Sequence, residues 1–420
     1  MKNEKTVRPG SNPSCPALRS NQRRLFTTIL VGLLAAAVVA TPAAAQKLTV
    51  LHSFTTTDGQ SPETALVRDS AGNLYGAAFY GGLFENCDNE VGGGTIFKVD
   101  STGSTTVLHF FNNGSDGCFP SGLTIDSAGT LYGAAYNNIF KLPASGNLKV
   151  VHNFDAFAQG ANPAGPLVRD SDGNIYGATL GGGDAVDCGF SGCGTIFKID
   201  KTGLETVLYT FTGGADGSDP QGGVIRDAAG NLYGTTTLGG DPSCSYLYSQ
   251  PGCGTAFKLS TAGVLTVLHT FTGGTDGKNP TSGLTMDAAG NLYGVTVAGG
   301  NTRCDRNNGC GTVFKIDTAG NETVLHTFAN ATEGSYISGR LTRDAAGNLY
   351  GTAAFGGNSN NDGLVFKLDS HGKETVLHRF GGLDGSGPLG GVILDGAGNL
   401  YGTTFSGGPD GAGVVFKLGR

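Results

Sequence analysis

The chain has 420 residues, 73 of them glycine and none of them tryptophan, and a formal net charge of -7. That acidic balance excludes a surface built to neutralise nucleic-acid phosphates or anionic lipids. The aliphatic and aromatic runs that keep returning between the glycines exclude a disordered linker and point to an ordered all-β chain rich in turns.

Residues 1–45 read as a signal peptide. Arg19, Arg23 and Arg24 precede an apolar run from Ile29 to Ala40, and the small residues Thr41 to Ala45 offer a cleavage site before Gln46. The run is short for a membrane span. Arg23-Arg24 loosely matches a twin-arginine signal, although the general secretory route is the expected one. Removing this segment takes the net charge to -12 and leaves a secreted or periplasmic chain, 46–420, read as a single domain. Eight cysteines then remain in an oxidising compartment, where an even number favours disulfides. Cys188 pairs locally with Cys193, Cys244 with Cys253, and Cys304 with Cys310. In the first repeat Gly93 stands where a second cysteine would be, so Cys87 is left to Cys118 by elimination.

From residue 48 onward one block recurs: D-x-x-G-N-L-Y-G, then an F-K strand, then T-V-L-H-x-F. Its tyrosines are Tyr75, Tyr132, Tyr176, Tyr233, Tyr293, Tyr350 and Tyr401, spaced 44 to 60 residues apart, a period that signals a solenoid, propeller or array. Each unit resolves into four short strands, A to D. In the third unit these are Gly165 to Asp170, Asn174 to Leu180, Gly194 to Ile199 and Glu205 to Phe211. Tight Asp/Gly turns join A to B and C to D, while a long glycine-rich segment joins B to C. A meander of this kind is a propeller blade. A D-type strand, Leu48 to Phe54, comes before any A, B or C, and the chain ends on A, B and C with no D. The first strand therefore completes the last blade beside Val414 to Leu418, giving a seven-bladed β-propeller of four-stranded blades closed at the chain ends.

The tandem units G-T-V-F-K-[LI]-D and D-x-x-G-N-L-Y-G-T-T, as at Gly311–Asp317 and Asp227–Thr236, resemble the GloVer tandem-repeat proteins over nearly the whole exported chain. The resemblance implies an exported bacterial repeat protein of uncharacterised function. Some members carry a C-terminal surface-anchoring domain, for which this sequence shows no counterpart up to Arg420.

Repetition argues against chemistry for most reactive side chains. Six histidines, His52, His109, His152, His269, His326 and His378, share one position in strand D, with Tyr209 in the seventh copy. As members of the outermost strand they are spread around the rim and expected to be packed, hydrogen-bonded groups between blades. The strand C lysines next to the core Phe are expected to snorkel toward acidic neighbours. The strand A arginines Arg68, Arg169, Arg226 and Arg343 are expected to form structural ion pairs.

The candidate binding residues lie in the D–A loops, with the pattern F-T-G-G-x-D-G-x-x-P. Their acids, Asp58, Asp116, Asp216, Asp276 and Asp384, become Glu333 once and Gln159 once. Around the channel mouth they would form a ring able to attract cations or to bind sugar hydroxyls. Glu63 is a singular acid near that mouth. The B–C loop is almost absent in blade 2, where Tyr136 lies in the turn directly into strand C, leaving a gap beside Cys118 and Phe119 that would serve as a ligand entrance. Tyr246 and Tyr248 in another loop add aromatic surface.

Metalloprotease, nucleophile-elbow, P-loop, Rossmann and calcium-loop patterns are all missing. No cofactor is expected, and calcium has no motif to support it. The leading expectation is a monomeric, non-enzymatic binding or scaffold module. It would recognise a glycan or an extracellular protein, and not nucleic acid, through its B–C and D–A loop face. The alternative is a carbohydrate- or lactone-active hydrolase using carboxylates at the channel mouth, which would need two non-repeated acids there.

Overall fold

The computed structural model describes residues 46–420 apart from 84–86, 88–90, 113, 155–157, 184–187, 189–190, 245–250, 302–303, 305–307 and 331. The signal segment 1–45, Tyr246 and Tyr248 lie outside the described residues. The chain from Ala45 to Arg420 forms one compact unit.

Seven antiparallel sheets, each of four strands in a simple meander, make up the seven blades of a propeller. Blade 1 uses Val67–Arg68, Leu74–Ala78, Thr95–Val99 and Thr105–Phe110 as strands A to D, and the other blades repeat this plan. Strand A is often only two residues long. In blade 3 it runs unbroken over Ala161–Arg169, longer than the sequence reading of Gly165 to Asp170.

Closure occurs where the strand count placed it. Leu48–Ser53 pairs antiparallel with Val414–Leu418, and the last sheet runs from that N-terminal strand inward to Val392–Leu394. The ring thus has no strand missing at its seam.

The repeated motif residues fill the core between blades. The strand C phenylalanine of each blade is fully buried and meets, edge to face, the phenylalanine that ends strand D of the preceding blade. Phe54–Phe97, Phe111–Phe140, Phe154–Phe197, Phe211–Phe257, Phe271–Phe314, Phe328–Phe366 and Phe380–Phe416 form a circuit with centroid distances of 4.9–5.4 Å. Such aromatic pairs add about 0.5–1.5 kcal/mol each beyond their area burial. The glycine of L-Y-G is explained by the same ring: a Cβ at Gly76 would lie 2.4 Å from Phe97 Cζ, and one at Gly294 would lie 2.4 Å from Phe314 Cζ.

The tyrosine and aspartate of the motif belong together. Asp69 accepts from the Asn73 backbone N–H at 2.8 Å, from Asn73 Nδ2 at 2.6 Å and from the Tyr75 hydroxyl at 3.0 Å. Burial alone would raise the Asp69 pKa, but these bonds outweigh it and leave the carboxyl below its usual range. The tight A–B turn is thereby tied to the strand that follows it.

Candidate functional site

The four disulfides pair as the sequence implies: Cys87–Cys118, Cys188–Cys193, Cys244–Cys253 and Cys304–Cys310. Gly93 fits the first of them for a steric reason. A Cβ there would lie 2.3 Å from the Phe111 carbonyl oxygen and 2.7 Å from Cys87 Sγ, so the displaced disulfide occupies the space that a side chain at 93 would need.

The D–A loop acids do not form a ring at the channel mouth. Each turns outward to the strand D residue of its own blade. Asp58 binds His52 Nε2 at 2.9 Å, Asp116 binds His109 at 2.8 Å, Asp276 binds His269 at 3.3 Å and Asp384 binds His378 at 2.9 Å. Tyr209, standing in for histidine, donates its hydroxyl to Asp216 at 3.0 Å. The same carboxylates cap their own loops, as in Thr55 N–H to Asp58 at 2.8 Å and Thr272 N–H to Asp276 at 2.8 Å. None of the five lines the central cavity. The physical reason is local: a short loop lets the acid satisfy loop amides and reach the adjacent imidazole at once, so its lone pairs are used at the rim.

The strand A arginines and strand C lysines are likewise held by the scaffold. Arg169 pairs with Asp126 of the preceding blade at 3.0 Å and lies 4.0 Å from the centroid of the Tyr132 ring. Lys98, Lys258, Lys367 and Lys417 sit over the motif tyrosines of their own blades at 5.6–5.9 Å, and Lys98 also favours the charged form of Asp100.

The concavity that could hold a ligand lies where the strand A starts converge. It has a volume of about 820 Å³, within the usual range for small-molecule sites. Glu63 lines it and is the single carboxylate among its lining residues, with Arg340 and Arg343 as the cations. Burial raises the Glu63 pKa. Arg340 Nε donates to Thr285 Oγ1 at 3.3 Å. Thr64, Thr281 and Ser282 line the same space, and their hydroxyl oxygens are buried behind its surface without a hydrogen-bond partner. Buried hydroxyls of this kind call for water or a ligand.

Aromatic rings border one side. Phe79 and Phe119 stack at 5.2 Å with an interplanar angle of 16°, and Tyr80 meets Phe119 edge-on at 5.7 Å. Tyr136, 59% exposed, forms with Asn137 the whole turn between strands B and C of blade 2. Tyr136 and Phe119 both line the cavity. Across the face Tyr336 packs against Phe355 at 5.6 Å.

Several cavity residues are held in the left-handed backbone region. Phe119 has φ 56° and Tyr336 φ 57°, each a few residues before strand A of its blade, and Asn162, at the start of the long strand A of blade 3, has φ 55°. A bulky aromatic residue in that region is unusual and is retained only where the surrounding structure over-determines it. The sequence reading missed Arg340, Phe79 and Tyr336. The signal was present in the break of pattern, because both Arg340 and Tyr336 replace the glycine, proline or small polar residues found in sibling units.

The architecture is therefore that of a seven-bladed β-propeller with a loop-face cavity. Residues 35–248 and 185–416 match the Gloeobacter/Verrucomicrobia repeat, and the chain belongs to that family. No curated protein matches it. Among solved structures it is similar to a catalytically inactive variant of virginiamycin B lyase from Staphylococcus aureus determined with quinupristin. That likeness has a TM-score of 0.58 and 16% identity, and covers 89% of this chain and 99% of the other. It is also similar to the extracellular domain of a protein described as a putative hybrid two-component system of B. thetaiotaomicron, with a TM-score of 0.54, 12% identity and 89% of this chain covered. This chain spans 41% of that structure. At such identities the likeness shows the fold alone. No helix among the described residues is long and apolar enough to cross a membrane, and four disulfides are the mark of an extracytoplasmic compartment.

Proposed function

We propose that this protein is a secreted or periplasmic, non-enzymatic binding module that takes a glycan into the central cavity of its loop face. The observation that carries this reading is the lining. Polar Glu63, Thr64, Thr281, Ser282 and Arg340 line a space bordered by the exposed Tyr136 ring and the stacked Phe79–Phe119 pair. Sugars offer alternating hydroxyls and apolar C–H faces, which such a wall complements. The hydrolase alternative asks for two carboxylates flanking a scissile bond, and the cavity supplies only Glu63 among its lining residues. We read the N-terminal segment as the export signal and the working form as a monomer.

The test is a glycan-array screen of the purified protein, repeated with Tyr136→Ala and Thr281→Val. Saturable retention of a defined oligosaccharide class that both substitutions weaken at least tenfold supports the reading. Retention unchanged by both, or release of reducing ends from the retained glycan, overturns it. Capture of no glycan, together with specific capture of a secreted protein, would make the loop face a protein-docking surface instead.

A further inference from the structure

The repeat fails chemically at the rim between blades 5 and 6. In four of the seven copies the loop Asp occupies the imidazole Nε2 of its strand D histidine, at 2.8–3.3 Å. At this point the acid is Glu333, and its longer side chain folds back on its own loop. Oε2 accepts from the Ala329 N–H at 2.9 Å and Oε1 from Asn330 Nδ2 at 3.0 Å. His326 Nε2 is left buried with no hydrogen-bond partner.

Glu374, the first residue of strand D in blade 6 (Glu374–Arg379), approaches that nitrogen from the neighbouring blade. Its Oε2 is 3.9 Å from His326 Nε2, its side chain is only 9% exposed, and its Oε1 has no hydrogen-bond partner. The nearby cation Arg379 donates instead to the Thr332 carbonyl at 3.2 Å. One ligand atom each from His326, Glu333 and Glu374 lies within 4.8 Å of the others, and no other group of three metal-ligating side chains is so placed among the described residues.

Sibling positions show why this site is singular. Between blades 2 and 3, His152 likewise faces a buried glutamate, Glu205, at 3.3 Å, but the residue at the Glu333 position there is Gln159. Between blades 4 and 5, Glu322 lies near His269, whose Nε2 is already taken by Asp276. The His326 ring is also oriented for ligation. The Gly372 backbone hydrogen-bonds it, and since Nε2 is unpartnered that bond falls to Nδ1, leaving the Nε2 lone pair toward the carboxylates. A backbone carbonyl on the far nitrogen is the usual support of a metal-bound histidine.

We propose that His326, Glu333 and Glu374 bind one first-row divalent cation at the rim, clipping blade 5 to blade 6. One imidazole nitrogen and two carboxylate oxygens suit Zn²⁺ better than Ca²⁺ or Mg²⁺, which favour all-oxygen shells of six or more ligands. Tetrahedral Zn²⁺ holds its ligands roughly 3.3 Å apart. Closing from the 4.8 Å spread to that separation requires Glu333 to exchange its bonds to the Ala329 N–H and the Asn330 amide for the cation, and the fourth position falls to water.

The experiment is calorimetric titration of the purified, metal-stripped protein with ZnCl₂, CaCl₂ and MgCl₂ in parallel, with melting temperatures recorded. The variants are Glu333→Asp, Glu374→Gln and His326→Tyr. Glu333→Asp is the decisive one, because Asp is the residue the sibling loops carry, so the variant folds while its shorter carboxylate returns to His326 Nε2. One Zn²⁺ per chain is expected, with a raised melting temperature and affinity at least tenfold weaker in each variant. His326→Tyr copies Tyr209 and keeps the fold intact. Absence of saturable Zn²⁺ binding, equal affinity in Glu333→Asp, or tighter binding of Ca²⁺ or Mg²⁺ than of Zn²⁺ would each overturn the assignment.

Discussion

Thr403 Oγ1 donates to the Thr64 carbonyl at 3.2 Å, joining residues 339 positions apart in the chain. This bond crosses from blade 7 to blade 1 at the inner end of the seam, while the pairing of Leu48–Ser53 with Val414–Leu418 closes its outer end. The chain termini therefore carry the closure of the whole ring.

Deleting Leu48–Ser53 should unfold the ring cooperatively, because it strips the outer strand of blade 7 and takes Phe54 out of register with Phe97. The check is thermal unfolding followed by circular dichroism. A melting temperature within error of the full chain would sink the seam model.

Inside the seam the constraint is steric. A Cβ at Gly390 would lie 2.6 Å from both the carbon and the oxygen of the Thr64 carbonyl, backbone that cannot rotate away. Gly390→Ala should cost about 1–3 kcal/mol, the usual range for overpacking. Gly396→Ala meets nothing within 4 Å and serves as the neutral control. Equal denaturation midpoints for the two variants would show that the blades can separate at the axis.

The disulfides should differ in worth according to the chain they enclose. Cys87–Cys118 spans 31 positions, and Cys188–Cys193 spans five. Loop-closure entropy gives about 3–4 kcal/mol for the longer and about 2 kcal/mol for the shorter. Double serine variants compared in urea should show that order, and the reverse order would mean that the Cys87 loop is already restrained in the unfolded chain.

Asp219 offers a pH test. It has a left-handed φ of 59°, and burial alone pushes its carboxyl up to about 6. A carboxyl raised in the folded state favours the protonated form. Its stabilising contribution is full below the ordinary value near 3.8 and is lost as pH rises through about 6. At the equivalent place in the next unit Asn279 adopts φ 54° and donates its amide to the Thr237 carbonyl at 2.9 Å. Asp219→Asn should therefore leave stability unchanged at pH 4 and raise it by about 1–2 kcal/mol at pH 8. A gain of equal size at both pH values would assign the effect to the amide bond instead of the charge.

Much of this architecture could be read from sequence because each signal is short-range and repeated. The D-x-x-G-N-L-Y-G turn needs only its own Asp, Asn and Tyr, as the bonds of Asp69 to Asn73 and Tyr75 show. Counting the strands from Leu48 to Leu418 then forces the circular permutation. The cysteine pairing followed by elimination, with Gly93 as the clue. What the sequence left open was direction. Asp58 and Glu63 stand five residues apart and both read as mouth acids, yet Asp58 turns to His52 at the rim while Glu63 enters the cavity.

The seven blades, their strand order and the closure at the chain ends are thus properties of the sequence alone, since a meander with a displaced D strand has one way to give every blade four strands. Only the tertiary structure decided which polar groups face a ligand. That choice depends on contacts between blades that no local pattern encodes: Glu374 reaches His326 from a different blade, and Thr64 and Ser282 come to one cavity because the ring brings blades 1 and 5 to the same axis.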